Sequence, residues 1–454
     1  MRHIALFIAK AAGTISRILR RGGGTSLPGM ILMKMRPTML REMAQDLEDG
    51  VIVISATNGK TTTARMVANA IQESETSYVA NTSGANLASG IATALLAKKP
   101  EDRLGIFEVD EAALPTLIPE LQPSVIVLMN LFRDQLDRYG ELESTIQKWK
   151  DMIQSLPETT KLIVNADDPA LGFLGSQHSN VEFFGIEQNQ YGSVILPHAA
   201  DSIHCQKCDS ALQFQQTTIG HLGHWSCQNC GEQRPQPTFT GTNINLNELN
   251  GSEFSVVSKS NSIDLEVPLA GLHNVYNALA AFSICSASGI KSSNIQKGLS
   301  TLSAAFGRNE IITYAGTEMM LLLAKNPAGA NQNLQTLLLT EEKIDLVISL
   351  NDRTADGKDI SWIWDVDYDM IFDRIATLTI SGDRAYDLAL RFYYSDFPTS
   401  NMHIVPSVEG LLNHLKDSCE SLQRVVILPT YTAMLDLRSQ LNKVGATHSF
   451  WEEQ

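Results

Sequence analysis

One short stretch limits the possible folds of this chain more than any other. Four β-prone residues, Val51 to Ile54, run directly into Ser55-Ala56-Thr57-Asn58-Gly59-Lys60-Thr61-Thr62-Thr63, and a helix-compatible run from Thr62 to Glu73 follows. Strand, tight Gly-containing turn, Lys-Thr and helix, in that order, make a phosphate-binding P-loop. The backbone N–H groups of Thr57, Asn58, Gly59, Lys60, Thr61 and Thr62 would attract the phosphates of ATP. Lys60 adds a mobile positive charge for the β- and γ-phosphates, and the Thr61 hydroxyl is placed to ligate Mg²⁺. The standard pattern G-x-x-x-x-G-K-S/T asks for Gly at position 54, where this chain has Ile54. The plainer alternative is a glycine turn followed by a chance Lys-Thr.

A length of 454 residues allows two or three domains, and 43% hydrophobic with only 7% aromatic content fits a soluble α/β protein. A net charge of −15 argues against nucleic acid as a partner. No run of 18 uncharged apolar residues predicts a membrane span. The first 21 residues carry five Lys/Arg and no acid. They read either as a helix packed on the domain or as a membrane-surface helix.

Four of the six cysteines form two knuckles, Cys205-Gln206-Lys207-Cys208 and Cys227-Gln228-Asn229-Cys230, with 18 residues between them. This spacing predicts a structural Zn²⁺ ribbon in a reducing compartment, inserted at about residues 197–236. A closed four-thiolate shell leaves no position for catalysis. It also leaves His204, His221 and His224 outside the ligand set. Cys285 and Cys419 read as structural.

Several strings together resemble the Mur ligase family, the ATP-dependent ligases of cell-wall peptide assembly and their folate-glutamylating relatives. They are T-N-G-K-T-T, with Ala56 where the family has Gly, and Asn130-Leu131-Phe132-Arg133-Asp134-Gln135-Leu136-Asp137-Arg138, with Gln135 where it has His. V-N-A-D-D-P at 164–169, G-L-H-N-V-Y-N at 271–277 and Phe306-Gly307-Arg308-Asn309-Glu310 also match. The resemblance implies a Mur ligase-like central P-loop ATPase domain over 46–305, after a basic helical segment over 1–45. A Rossmann-like domain over 306–454 follows. It implies that Glu108, at the end of the Leu104–Val109 strand, holds Mg²⁺ and is catalytic with Lys60, while Asp110 and Glu111 cap the next helix. Asn130 and its neighbours would meet Mg²⁺, water or acyl phosphate. Asn165 and Asp168 would meet adenine or ribose, or else make an Asx-Pro turn. Asn274 and Asn277 share a helix face that would meet the adenine, and Arg308 would close onto the phosphates. Lys148 lies where many members carry a carbamylated lysine.

The last domain departs from ordinary members. Their A-H-N-P is Ala324-Lys325-Asn326-Pro327 here, and residues 351–365 pack acids and two tryptophans beyond a strand end. With the ribbon and the short N-terminus, this resembles the branch that forms the synthetase subunit of lipid II isoglutaminyl synthase. That branch amidates the D-glutamate α-carboxylate of lipid II with ammonia from a GatD-like glutaminase, at the inner face of the membrane. The resemblance implies that Asp359, ahead of Asp352 and Asp356, completes the partner's catalytic triad. Trp362 and Trp364 would be core or interface. Two other readings stay open: a stand-alone folylpolyglutamate-type amino-acid ligase, and a zinc-ribbon nucleic-acid ATPase.

Overall fold

The computed structural model describes residues 6–9, 11, 13, 26–81, 84–133, 142–198, 200–259, 261–302, 307–418 and 424–447, without the Arg308 side chain. The strands of the first domain are β1 (Gly50–Ser55), β2 (Tyr78–Ala80), β3 (Leu104–Glu108), β4 (Val125–Leu128), β5 (Lys161–Asn165) and β6 (Val181–Ile186). They continue with β7 (Gln213–Ile219), β8 (Leu222–Ser226), β9 (Phe239–Asn247), β10 (Gly251–Ser258) and β11 (Asn261–Val267). Nine of them form one sheet in the order β11-β10-β9-β6-β5-β4-β1-β3-β2. From β2 to β9 the pairing is parallel, and β9, β10 and β11 pair antiparallel.

The apolar runs explain the layers. Along β1, Ile52 and Ile54 enter one hydrophobic cluster while Val51 and Val53 enter the other, on the opposite face. Successive side chains alternate across a strand, so a continuous Val/Ile run suits a sheet covered on both sides. β1 pairs with β3 on one side and β4 on the other. The chain order therefore splits at β1, and a crevice opens at its C-terminal end, where α/β folds bind ligands.

The parallel partners β6 and β9 must be joined by a crossover, and here the cysteine insertion replaces the usual helix. Its β7–β8 hairpin carries the two knuckles at its ends.

The second domain has β12 (Arg308–Tyr314), β13 (Thr317–Leu322), β14 (Ile344–Ser349), β15 (Ile375–Ser381), β16 (Met402–Ile404) and β17 (Val425–Pro429), ordered β12-β13-β17-β14-β15-β16. Only β12–β13 is antiparallel, so the domain is the expected Rossmann-like unit with an added hairpin at one edge.

Pro28-Gly29 reads as a helix breaker, yet a helix spans Leu27–Met35 with both residues in its first turn. Proline is tolerated there because that N–H has no intrahelical partner. Gly29 lies against the Ala88–Ala97 helix: its N–H donates to Thr93 Oγ1 at 2.9 Å, and a Cβ would meet Ser89 O at 1.9 Å. Leu32, Met39, Leu40 and Met43 share the cluster beneath β1, so residues 27–45 pack onto the central sheet. Among the more N-terminal described residues, Ala9 is buried and Phe7 exposed.

Candidate active site

The crevice at the end of β1 is a cleft of about 500 Å³ between the two domains. Its floor is the P-loop. Gly59 takes φ +92°, and a Cβ there would meet Asn277 Oδ1 at 2.2 Å, so only glycine fits between loop and helix. The helix Lys60–Gln72 starts at once, which turns its first N–H groups into the cleft. From the central domain Thr57 to Thr62, Glu108, Asn274 and Asn277 all line the cleft. The sequence-predicted phosphate, metal and adenine residues are thus brought together. Arg308 lies on β12, but its side chain is outside the described residues.

Thr61 Oγ1 donates to Glu108 Oε2 at 2.7 Å, and Glu108 is only 3% exposed. Asn81 pins the Glu108 backbone from both sides, accepting from its N–H at 3.0 Å and donating to its carbonyl at 2.9 Å. A hydroxyl and a carboxylate at a strand end are the hard oxygen pair that Mg²⁺ takes beside substrate phosphates.

Glu111 does not cap a helix. Its Oε2 accepts from Lys60 Nζ at 2.7 Å, and both side chains are nearly buried. Burial would push the Glu111 carboxyl up, but the Lys60 and Lys325 ammoniums outweigh it and hold the group below its ordinary value. Asp110 does not cap the Leu114–Leu121 helix either, since Ala113 holds the N-cap position; its carboxylate accepts from Ala112 N–H in the turn before the helix, and its carbonyl from Leu114 N–H.

Asn130 departs from the role the resemblance implies, and Asn165 and Asp168 take the Asx-turn alternative rather than the nucleotide one. Asn130 faces the loop rather than a metal: its Oδ1 accepts from Asn58 N–H and its Nδ2 donates to Asn58 O, both at 2.9 Å. Asp168 is fully buried, caps the Pro169–Gly175 helix and accepts from Leu131 N–H at 2.9 Å, so it cannot reach a nucleotide. Asn165 is spent on Met129 O and Asp167 N–H, completing the Asx turn. Lys148 is exposed and outside the cleft, while its neighbour Trp149 points inward and donates to Glu111 O at 2.9 Å. Asp134, Gln135, Asp137, Arg138, Phe306 and Cys419 lie outside the described residues. Cys285 is core, and burial pushes its thiol up to about 12.

Sequence reasoning missed Glu111, Asn81 and the C-terminal wall. Lys325, Gln332, Asn333 and Tyr431 face the P-loop across the cleft. Asn326 caps the Pro327–Leu337 helix and pairs amide to amide with Asn58, at 3.2 and 3.4 Å. The altered A-K-N-P string was the available signal, but nothing local shows that it folds over a loop more than 260 residues earlier.

The four knuckle sulfurs all lie within 4.8 Å of one another, with Cys205–Cys230 and Cys208–Cys227 each 3.5 Å apart. A disulfide needs about 2.05 Å. Thiolates on one tetrahedral zinc, at Zn–S of about 2.3 Å, stand roughly 3.8 Å apart. The set fits a structural zinc, and among the described residues no histidine joins it. His221 instead stacks on Phe132, with ring centroids 4.6 Å apart. The ribbon grips the V-N-A-D-D-P turn: Trp225 Nε1 donates to Ala166 O at 3.0 Å and Arg234 pairs with Asp167 at 2.6 Å.

Of the three acids beyond β14, Asp356 is buried and accepts from Thr432 N–H at 2.8 Å, with burial pushing its carboxyl up. Asp352 is half-buried beside Arg384. Asp359 is the exposed one, and the Ser361 hydroxyl and N–H hold its carboxyl below its ordinary value. Trp362 packs against the core and Trp364 is 52% exposed.

Comparison with known proteins agrees with this geometry. Residues 54–231 match the Mur ligase middle domain family and residues 323–434 the MurT ligase C-terminal family. The chain is 32% identical over 426 residues to the lipid II isoglutaminyl synthase (glutamine-hydrolyzing) subunit MurT of Streptococcus pneumoniae, covering 93% of each chain. It is 30% identical to the Staphylococcus aureus protein of the same name, covering 97% of each. Among solved structures, a pseudomurein peptide ligase type C from Methanothermus fervidus superposes with a TM-score of 0.69 at 21% identity, over 91% of this chain and 84% of that one, a likeness of fold. The P-loop cleft, the second sheet domain and the near full-length matches lead to one conclusion: this chain belongs to the MurT family of Mur ligases.

Proposed function

We propose that this chain is the ATP-dependent synthetase subunit that converts the D-glutamate α-carboxylate of lipid II to the carboxamide of D-isoglutamine in peptidoglycan synthesis. The observation that carries the reading is the cleft itself. Lys60, Thr61 and Glu108 converge at a domain boundary, in a family of ATP-dependent ligases whose matching relatives are named for this reaction.

A carboxylate resists attack by ammonia because oxide is a poor leaving group. In the proposed sequence a carboxylate oxygen attacks the γ-phosphorus of ATP, and ADP leaves. Ammonia then attacks the carbonyl carbon of the acyl phosphate, the C–O bond to phosphate breaks, and the departing phosphate takes the proton that nitrogen loses. The loop N–H groups and Lys60 offset charge on the transferring group. Thr61 and Glu108 would hold Mg²⁺, which when bound neutralises phosphate charge. Asn274 and Asn277 offer amides to the adenine. Lys60 Nζ donates to Ala56 O and to Glu111, which leaves its third donor for phosphate.

Ammonia would come from a GatD-like glutaminase, with Asp359 as the acid lent to its catalytic histidine. The exposed position of Asp359 supports that choice over the half-buried Asp352 and the buried Asp356. Zn²⁺ on Cys205, Cys208, Cys227 and Cys230 would hold the ribbon. Among the described residues no helix is long and apolar enough to cross a membrane. The basic N-terminus would meet anionic headgroups at the inner face.

The test is mass-spectrometric. Protein, ATP, Mg²⁺, lipid II and an ammonium salt should give the mass loss of a carboxylate turned carboxamide. Lys60→Ala should slow it about 100-fold or more. Amino-acid adducts instead of carboxamide would make the chain a conventional ligase. An unimpaired Lys60→Ala would sink the P-loop assignment.

A further inference from the structure

The ribbon does more than grip its own domain. Arg133 lies on the segment that leaves β4, and its side chain and N–H both bind Asp201 of the ribbon, the N–H at 2.9 Å. The same guanidinium reaches Asp365 of the C-terminal domain at 3.6 Å. Beside it, His198 Nδ1 lies 2.6 Å from Asp367 Oδ1. Asp367 is itself fixed by Asn331, which accepts from its N–H at 2.9 Å and donates to its Oδ2 at 3.0 Å.

Behind Arg133 the contacts run back to the nucleotide loop. Phe132 N–H donates to Thr57 Oγ1 at 3.0 Å, and His221 of the ribbon stacks on Phe132 while accepting from Asp201 N–H at 3.2 Å. Ahead of it, Asp365 ends the short helix Ser361–Asp365, which Asp359 opens through its bond to Ser361 N–H at 2.8 Å. His198 and Asp201 of the ribbon are thus joined on one side to the P-loop and on the other to the turn that carries Asp359.

We propose that the ribbon is a clasp: through Arg133 and His198 it fixes the 359–367 turn relative to the nucleotide loop. Arg133 and His198 are then positioning residues for the glutamine-dependent reaction. The proposal rests on the reading that Asp359 serves a partner glutaminase. A clasp of this kind predicts a split between ammonia sources, because free ammonia needs only the cleft, whereas glutamine needs Asp359 held in register with the partner.

The test uses the chain in complex with its glutaminase subunit. Variants are His198→Ala, Asp365→Asn and the two combined, all at surface positions, with Arg133→Gln added. Amidation of lipid II is measured at saturating ATP with ammonium chloride and, separately, with glutamine. The combined variant should keep its ammonium-supported rate within about twofold and lose about tenfold or more of its glutamine-supported rate. Its melting temperature should be unchanged. Equal loss with both nitrogen sources, or no loss with either, overturns the clasp. Asp359→Asn separates the two readings. If it abolishes the glutamine-supported rate while the clasp variants do nothing, the clasp alone fails. If it changes nothing, the acid assignment fails and the clasp with it.

Discussion

The Lys60–Glu111 pair decides most at the scale of single residues. Both groups are about nine-tenths buried and 2.7 Å apart. Removing one partner of such a pair strands the other charge, at a cost of about 3–5 kcal/mol. Glu111→Gln should therefore lower the melting temperature of the unliganded protein by several degrees. ATP should restore more stability to this variant than to the wild type, because its phosphates replace the missing carboxylate. A thermal-shift series with and without nucleotide reads both effects. The pH dependence follows from the sign. Glu111 is held below its unfolded value of about 4.3, so its contribution is complete above that value and is lost as pH falls through the folded one. Wild-type stability should decline on the acid side of pH about 4, and Glu111→Gln should lack that part of the decline. An identical acid limb in both proteins would refute the assignment.

At the scale of elements, close packing and metal carry the predictions. Gly29 leaves no room for a Cβ against the Ala88–Ala97 helix, so Gly29→Ala must push two helices apart at a cost of about 1–3 kcal/mol. A shift of the urea midpoint without a change in slope measures it. The ribbon should bind one zinc per chain, and Cys205→Ser with Cys208→Ser should release it. Loss of the metal should lower the melting temperature by about 5–10 °C and speed hydrogen exchange over residues 164–175, which Trp225 and Arg234 hold. Elements of this kind were largely legible beforehand. The Val/Ile runs of β1 and β4 state their own burial, and two C-x-x-C knuckles state their own geometry. Asn130 was misread, and Asp168 was left between two readings, because an amide or carboxylate at a strand end looks the same in sequence whether it serves a ligand or the backbone next to it. Glu111 was misread because its partner, Lys60, lies 51 positions away.

For the whole molecule, the cleft exists only while two domains face each other. Asn58 and Asn326 are the direct link between the P-loop and the far wall, and Lys325, Gln332 and Asn333 complete that wall. Nucleotide should therefore slow hydrogen exchange over 325–333 together with 57–62. Lys60→Ala should abolish both protections at once. Protection confined to the P-loop would mean that the C-terminal domain plays no part in nucleotide binding. Individual strands could be anticipated from patterning, but neither their order nor this facing of domains could, because the latter depends on contacts more than 260 residues apart that no local propensity encodes.

The crossover between β6 and β9 has a consequence for biosynthesis. A helix in that place closes through its own backbone hydrogen bonds, whereas this crossover would close on the proposed zinc. Until the four sulfurs are joined, β9, β10 and β11 have no fixed route to the sheet, and Val181–Ile186 is left as an open strand edge. Such edges pair with other chains. In a cell short of zinc, newly made chains would then close the sheet more slowly and lose a larger share to aggregation on the way, so the supply of zinc would bear on how much folded protein accumulates.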